Sequence, residues 1–229
     1  QNRKVYVPNL FAKINGVTED LEDYWQDLKA LTLAQNTKLI ATLPFTEIRY
    51  TKQELYQSNY LLDKEGLVDA EKIVKDRHYK FGYLKSSLQH FLITKINELF
   101  HSGIFLESVD DKFKLKILMT ILTMDDDLLK LIEVFDYPQE IPKLIVYDNH
   151  RNTFNESDSI LLAYFNLIGL DILVFTPTNY QTLEQFLKSS LFDLHQLPLV
   201  KYDLLLPSLN NLSAPSPKLG LLSRFFKRR

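Results

Sequence analysis

The sequence predicts an α/β protein: a Rossmann-like, mainly parallel sheet carrying a large helical insertion. Three observations lead there. Lys143–Tyr147 is a short apolar run with β-branched Ile145 and Val146, as expected for a strand covered on both faces, and residues 170–175 read as a second buried strand. One strongly patterned helix lies between them, and strand, helix and strand with short connections imply parallel strands joined by a right-handed crossover. The third observation is residues 46–136, whose period is helical almost throughout and which are too long for an ordinary crossover.

The elements follow in order. Residues 5–14 read as extended, with Pro8 at a strand start or sheet edge because proline cannot donate to a central ladder. Thr18 is the expected cap of a helix carrying Leu21, Tyr24, Trp25, Leu28 and Leu31 at helical spacing. Residues 38–43 form the next short strand, ended by Pro44. Inside the insertion, Leu84, Leu88, Phe91, Leu92, Ile96, Leu99 and Phe100 make one helical stripe that Gly103 stops. Phe113, Ile117, Leu118, Ile121 and Leu122 make another, and residues 128–135 a further helix begun by Asp125, Asp126 and Asp127.

After Lys143–Tyr147, the polar residues 148–154 carry a turn. Asn155 is the expected N-cap, with Asp158 in the third helical position as a capping-box variant. Ile160, Leu161, Tyr164, Phe165, Leu167 and Ile168 supply the buried face, and Gly169 suits the left-handed position past the helix end. Thr176-Pro177 closes the strand over 170–175, and Thr182 with Gln185 predicts a capping box for a helix over 183–191. The chain then divides into a first part of the core (1–45), the insertion (46–136), a C-terminal part of the core (137–212), and a linker with a basic amphipathic tail (213–229). The strands at 10–14 and 38–43 are expected to join the sheet of 143–176.

Composition bounds the function classes. The 229 residues are 45% apolar and 24% charged, an ordinary globular balance. A formal charge of −2 gives no electrostatic reason to expect nucleic acid. The charge is uneven: residues 204–229 hold no acid and five bases, Lys218, Arg224, Lys227, Arg228 and Arg229, which leaves −7 on residues 1–203. That tail is expected to make at most weak membrane-surface contact. The absence of cysteine removes disulfides, thiolate nucleophiles and thiolate metal sites, and fits a reducing, cytoplasmic setting. The apolar stretch 160–175 is too short and too interrupted, by Asn166, Gly169 and Asp171, to span a bilayer. Opening at Gln1 without methionine, the chain reads as the C-terminal part of a longer protein. None of its six glycines forms a dinucleotide fingerprint, a P-loop or a nucleophile elbow, which disfavours a standard NAD enzyme, P-loop ATPase or α/β-hydrolase. No cofactor is named by the sequence, and whether any reaction is catalysed stays open.

In open parallel sheets, ligands sit beyond the carboxyl ends of the strands. Candidate ligand-binding residues there are Asp148, Asn149, His150 and Arg151 after one strand, Thr176, Thr178, Asn179 and Tyr180 after the next, and Lys13, Asn15 and Gly16 at the end of the first. Lys13 and Arg151, with free helix N-termini, suit the phosphate or carboxylate of an anionic small molecule. His150 beside Asp148 is a candidate acid or base, against the commoner reading of an exposed loop histidine. The remaining histidines lack paired metal-ligand spacing. The aspartates at 125–127 suit a hard cation or, more simply, a helix start. Arg77-His78-Tyr79-Lys80 reads as a crevice lining or a solvated helix entry. A non-catalytic interaction module remains the competing reading, with the insertion and tail as contact surfaces.

Three segments carry a family resemblance: Pro142-Lys143-Leu144-Ile145-Val146-Tyr147, Asp158-Ser159-Ile160-Leu161-Leu162, and residues 167–180 from Leu167-Ile168-Gly169 to Thr178-Asn179-Tyr180. Phe11-Ala12-Lys13-Ile14-Asn15-Gly16-Val17 adds to them. In these the chain resembles the YceG-like proteins of bacterial tellurite-resistance and general stress gene clusters, described as a component of a biosynthetic module. The resemblance implies a stress-associated cytosolic protein, with other proteins of such clusters as partners, and implies no particular chemistry. The family pattern has glycine where this chain has Asn179, a residue that also tolerates a left-handed turn.

Overall fold

The computed structural model describes residues 9–134, 141–150 and 153–211. The described strands β1 (Phe11–Asn15), β2 (Thr37–Ile40), β3 (Lys143–Tyr147), β4 (Asp171–Thr176) and β5 (Asp193–Gln196) form one sheet in the order β2-β3-β4-β1-β5. Every pairing is parallel. The expected single sheet is therefore observed. Alternation along the strands gives it two apolar faces. Phe11, Leu144, Val146, Ile172 and Val174 lie on one, and Ala12, Ile14, Ile145, Tyr147, Leu173 and Phe175 on the other.

Each face is covered by helix. α1 (Leu21–Thr32) lays Tyr24, Trp25 and Leu28 on the second face. α7 (Glu156–Ile168) lies on the first, and between β2 and β3 the chain adds α2 (Lys52–Gln57), α3 (Ala70–Ile73), α4 (Ser86–His101), α5 (Asp111–Leu122) and α6 (Asp126–Glu133). α4 and α5 pack on α7, so one apolar core runs from the sheet through α7 into the insertion. Deep in it the Tyr164 hydroxyl donates to the Leu92 carbonyl at 3.1 Å, which keeps a buried phenol satisfied. The chain leaves β1 along the α1 face to reach the far edge strand β2. It then returns through β3 and β4 on the α7 face, as right-handed crossovers require when the direction of travel reverses.

The local signals act largely as expected. Asn155 accepts the Asp158 N–H at 2.7 Å, Asp158 accepts the Asn155 N–H at 3.1 Å, and Gly169 ends α7 at φ 109°. Asp125 caps α6 by accepting the Asp127 N–H. α1 differs in its cap, which is Asp20. The Thr18 hydroxyl donates to the Asp20 carbonyl instead. Pro8 and Phe135 lie outside the described residues, as does the tail.

The helix expected over 183–191 is corrected. The segment holds two 3₁₀ turns, Leu183–Gln185 and Ser189–Leu191, and Thr182 makes no capping hydrogen bond. The reason is a competing partner: Leu106 N–H donates to the Phe186 carbonyl at 2.9 Å and Lys188 N–H to the Ile104 carbonyl at 2.8 Å. This short ladder to the insertion holds the backbone extended at Leu187, which a helix could not match. β5 is the element missing from the sequence reading. Its Asp193, Leu194 and Gln196 are exposed, so no apolar alternation announces it, and pairing with β1 holds it in place. Among the described residues no helix is long and apolar enough to cross a membrane.

Candidate functional site

Adjacent strands β1 and β4 send their following segments to opposite faces. β1 leads to α1, whereas the chain after β4 lays Leu183, Leu187 and Phe192 into the α7-side core. This is a topological switch point, the position at which open α/β sheets form a crevice at their carboxyl ends. The sheet register gathers polar side chains there. Asn15 is the register partner of Thr176, and Asp148, whose N–H donates to the Phe175 carbonyl at 2.8 Å, stands beside Thr176 on the next strand. A turn closed by Asn179 N–H to the Thr176 carbonyl at 3.1 Å carries Thr178, and the chain then brings Thr182 toward Asp148.

These groups are buried and short of partners. Asn15 Oδ1, Asp148 Oδ2 and the hydroxyls of Thr176, Thr178 and Thr182 are inaccessible to solvent and make no hydrogen bond of good geometry among the described residues. Each residue is at most 5% exposed, so bulk water does not compensate them. Asp148 Oδ1 accepts the Thr153 hydroxyl. Burial pushes the Asp148 carboxyl up, while the Thr153 hydroxyl, the Thr182 hydroxyl close beside it, the His150 backbone N–H and the Lys13 charge pull it back.

Lys13 points into the same layer from the middle of β1 and is completely buried. Its ammonium donates to both Glu184 carboxylate oxygens, at 2.8 and 2.7 Å, and to the Tyr180 carbonyl at 2.7 Å. Burial lowers its pKa, and the Glu184 hydrogen bond and charge oppose that. The lysine charge is thus matched within the protein. Glu184, Thr153 and Thr182 belong to this cluster, and sequence reading missed them because none immediately follows a strand.

Residues 197–206 close the α1 side of this edge. Leu197 N–H donates to the Asn15 carbonyl at 2.8 Å, Val17 and Leu199 form a bridge, and Lys201 N–H reaches the Pro177 carbonyl at 3.0 Å. The Leu204 carbonyl accepts both the Tyr147 hydroxyl and the Asn149 amide, at 2.7 and 2.8 Å. Gly16 serves this strap. At φ 78°, a β-carbon on it would stand 2.4 Å from the Leu199 carbonyl oxygen. Asn149 is tied to the strap, His150 and Asn179 are exposed, and the Tyr180 ring packs against Tyr202 with the rings tilted and their centroids 5.8 Å apart. Arg151 lies outside the described residues.

Other charged clusters have internal partners. Asp125 pairs with Arg49 at 2.8 Å, Asp126 with Lys80 at 2.7 Å and Asp127 with Lys130 at 2.9 Å, all around the first turn of α6. His78 meets Asp76 at 3.1 Å and Arg77 pairs with Glu54, beside a cavity of about 310 Å³ in the insertion. A second cavity, of about 380 Å³, lies past the end of β2 between Thr42, Arg49 and α7. No cluster of His, Asp or Glu suited to a metal occurs among the described residues.

The fold and the buried polar edge define an all-parallel, three-layered α/β protein with a furnished switch point. The chain belongs to the YceG domain family, which matches residues 1–202. It is 31% identical over 198 residues to the uncharacterized protein YceG of Bacillus subtilis (strain 168), an alignment covering 84% of this chain and 36% of that protein. The chain therefore spans about a third of the length of that relative. No solved structure matches it.

Proposed function

We propose that this chain binds a small anionic molecule of nucleotide or sugar-phosphate type at the carboxyl edge between β1, β4 and β3. One observation carries the reading: five buried polar atoms that make no hydrogen bond of good geometry among the described residues gather at the switch point, where a fold of this kind receives ligands. Native interiors leave few such atoms unpaired, and a group of them in one place marks a partner that binds from outside. Lys13 is held by Glu184, so contact with the anionic group is assigned to His150 and the loop carrying Thr178 and Asn179, together with Arg151 on the sequence argument alone. Asp148, Asn149, Asn15, Gly16, Thr176 and Tyr180 form the floor and walls. A cytoplasmic place in a metabolite-processing pathway of a bacterial stress or tellurite response, alongside other proteins of such gene clusters, belongs to the same proposal. So does weak contact of the basic tail with a membrane surface.

A specific observation favours a second reading, a non-catalytic interaction module. Leu194, Leu199, Val200, Tyr202 and Leu205 are exposed along β5 and the strap that follows it, an apolar surface suited to another protein. A thermal-shift screen of nucleotides, sugar phosphates and simple anions separates the two. The first reading expects a ligand that raises the melting temperature by several degrees and loses its effect in Arg151→Ala. No shift from any compound moves the assignment to the interaction module.

A further inference from the structure

We infer that the floor of the switch point is a binding site for a monovalent alkali cation, held by Asn15 Oδ1, Asp148 Oδ2 and the hydroxyl oxygens of Thr176, Thr178 and Thr182. The inference deepens the proposed function and rests on its reading of this edge as a ligand site, supplying the counter-charge that an anion at the rim would need.

Three features carry it. The first is the donor set. All five atoms are oxygens, all are buried, and among the described residues none makes a hydrogen bond of good geometry, although the Thr182 hydroxyl stands close enough to the Asp148 carboxylate to help hold it ionised. Hard cations take oxygen ligands, several at a time. Asn15 Oδ1 and an ionised Asp148 Oδ2 can only accept, so a partner without lone pairs to place suits them. A trapped water molecule makes two to four hydrogen bonds by general experience, roughly half of them as donor, and leaves part of this set unmatched.

The second feature is placement. Asn15, Thr176 and Asp148 stand side by side across β1, β4 and β3 on one face of the sheet, where neighbouring strands are about 4.8 Å apart. The turn after β4 returns Thr178 and Thr182 to the same end, with Thr182 beside Asp148. The strands fix three of the oxygens, so little ordering remains to be done on binding.

The third feature is charge. Lys13 is paired directly with Glu184 and reaches Asp148 only as the weakest of the influences that hold its carboxylate ionised, so Asp148 has no ion-pair partner of its own among the described residues. One positive charge brings the buried layer to neutrality, and burial makes that balance matter more than it would in water. A divalent ion would overshoot, and divalent sites usually recruit more than one carboxylate. An anion placed among these oxygens would double the imbalance.

The test uses the full chain with no organic ligand, so its outcome is separate from that of the nucleotide and sugar-phosphate screen. Thermal unfolding is followed in potassium, sodium and choline chloride at equal ionic strength, with magnesium and calcium as further arms. The expected result is a saturable rise of several degrees in potassium or sodium over choline, absent in Thr178→Val. Sodium-23 NMR gives the direct readout: the protein broadens the sodium line, and potassium or an excess of sodium narrows it. Asp148→Asn should abolish the broadening. If that variant fails to fold, Thr178→Val and Thr182→Val keep the test open. Equal melting temperatures in potassium, sodium and choline, with no line broadening, mean that water fills the floor and overturn the inference. A larger response to magnesium or calcium than to either alkali ion overturns it as well.

Discussion

The Lys13 ammonium lies 2.7 Å from a Glu184 carboxylate oxygen, with the lysine side chain wholly buried and the glutamate 19% exposed. The pair ties the centre of β1 to the 3₁₀ turn Leu183–Gln185 that follows β4, across the switch point. Removing one partner of such a pair leaves the other charge uncompensated in a low-dielectric layer. Lys13→Met is therefore expected to cost about 3 kcal/mol in urea denaturation. The double variant Lys13→Met with Glu184→Leu should recover much of that loss, because a matched apolar pair strands no charge. A double variant no better than Lys13→Met alone would show that Glu184 tolerates solitude.

Gly16 is explained by the strap over residues 197–206. Its φ of 78° and the 2.4 Å approach of the Leu199 carbonyl to a would-be β-carbon leave no room for a side chain. Gly16→Ala combines left-handed strain of about 1–2 kcal/mol with displacement of the strap. The expected destabilisation is at least about 2 kcal/mol on that account. Limited proteolysis should cut first between residues 197 and 206. Unchanged stability and an intact strap would return Gly16 to a ligand-facing role.

The core of the fold was legible in the sequence because its signals are local. A β-branched run, a capping box from Asn155 to Asp158 and a glycine at 169 specify β3, α7 and β4 without reference to the rest of the chain. β5 and the 3₁₀ segment were not legible for the opposite reason. Leu183 and Leu187 are both buried, which imitates a helical period, but the ladder between residues 104–106 and 186–188 decides their backbone. The strand-end rule placed Asn15, Asp148, Thr176 and Thr178 in one layer. It could not foresee that Glu184 would meet Lys13, because that partner lies beyond the turn and is brought in by tertiary pairing.

Asn179 has φ 58°, in the left-handed region that glycine and asparagine adopt most readily. Asparagine adopts it at small cost and alanine does not. Asn179→Gly should be near neutral in stability, whereas Asn179→Ala should lose about 1 kcal/mol by denaturant melting. Equal stability of the two variants would mean that the turn relaxes out of the left-handed region.

Asp158 joins two segments through one carboxylate that accepts three backbone N–H groups. It closes the α7 capping box with Asn155, and its Oδ1 accepts the backbone N–H groups of Phe45 and Thr46 at 3.1 and 2.7 Å, anchoring the loop after β2. At neutral pH, Asp158→Ala strands those donors and should cost about 2 kcal/mol or more. Burial raises the pKa of this carboxyl above its usual 3.8, with the Thr46, Asn155 and Phe45 hydrogen bonds opposing it. The folded chain thus holds the proton more tightly than the unfolded chain. The associated stability is complete below pH 3.8 and is lost as pH rises through the folded pKa. The stability difference between the parent and Asp158→Asn should therefore fall across that window and level off above it, as urea denaturation at a series of pH values would record. A difference that grows with pH there would mean that the backbone donors outweigh burial and hold the carboxylate ionised.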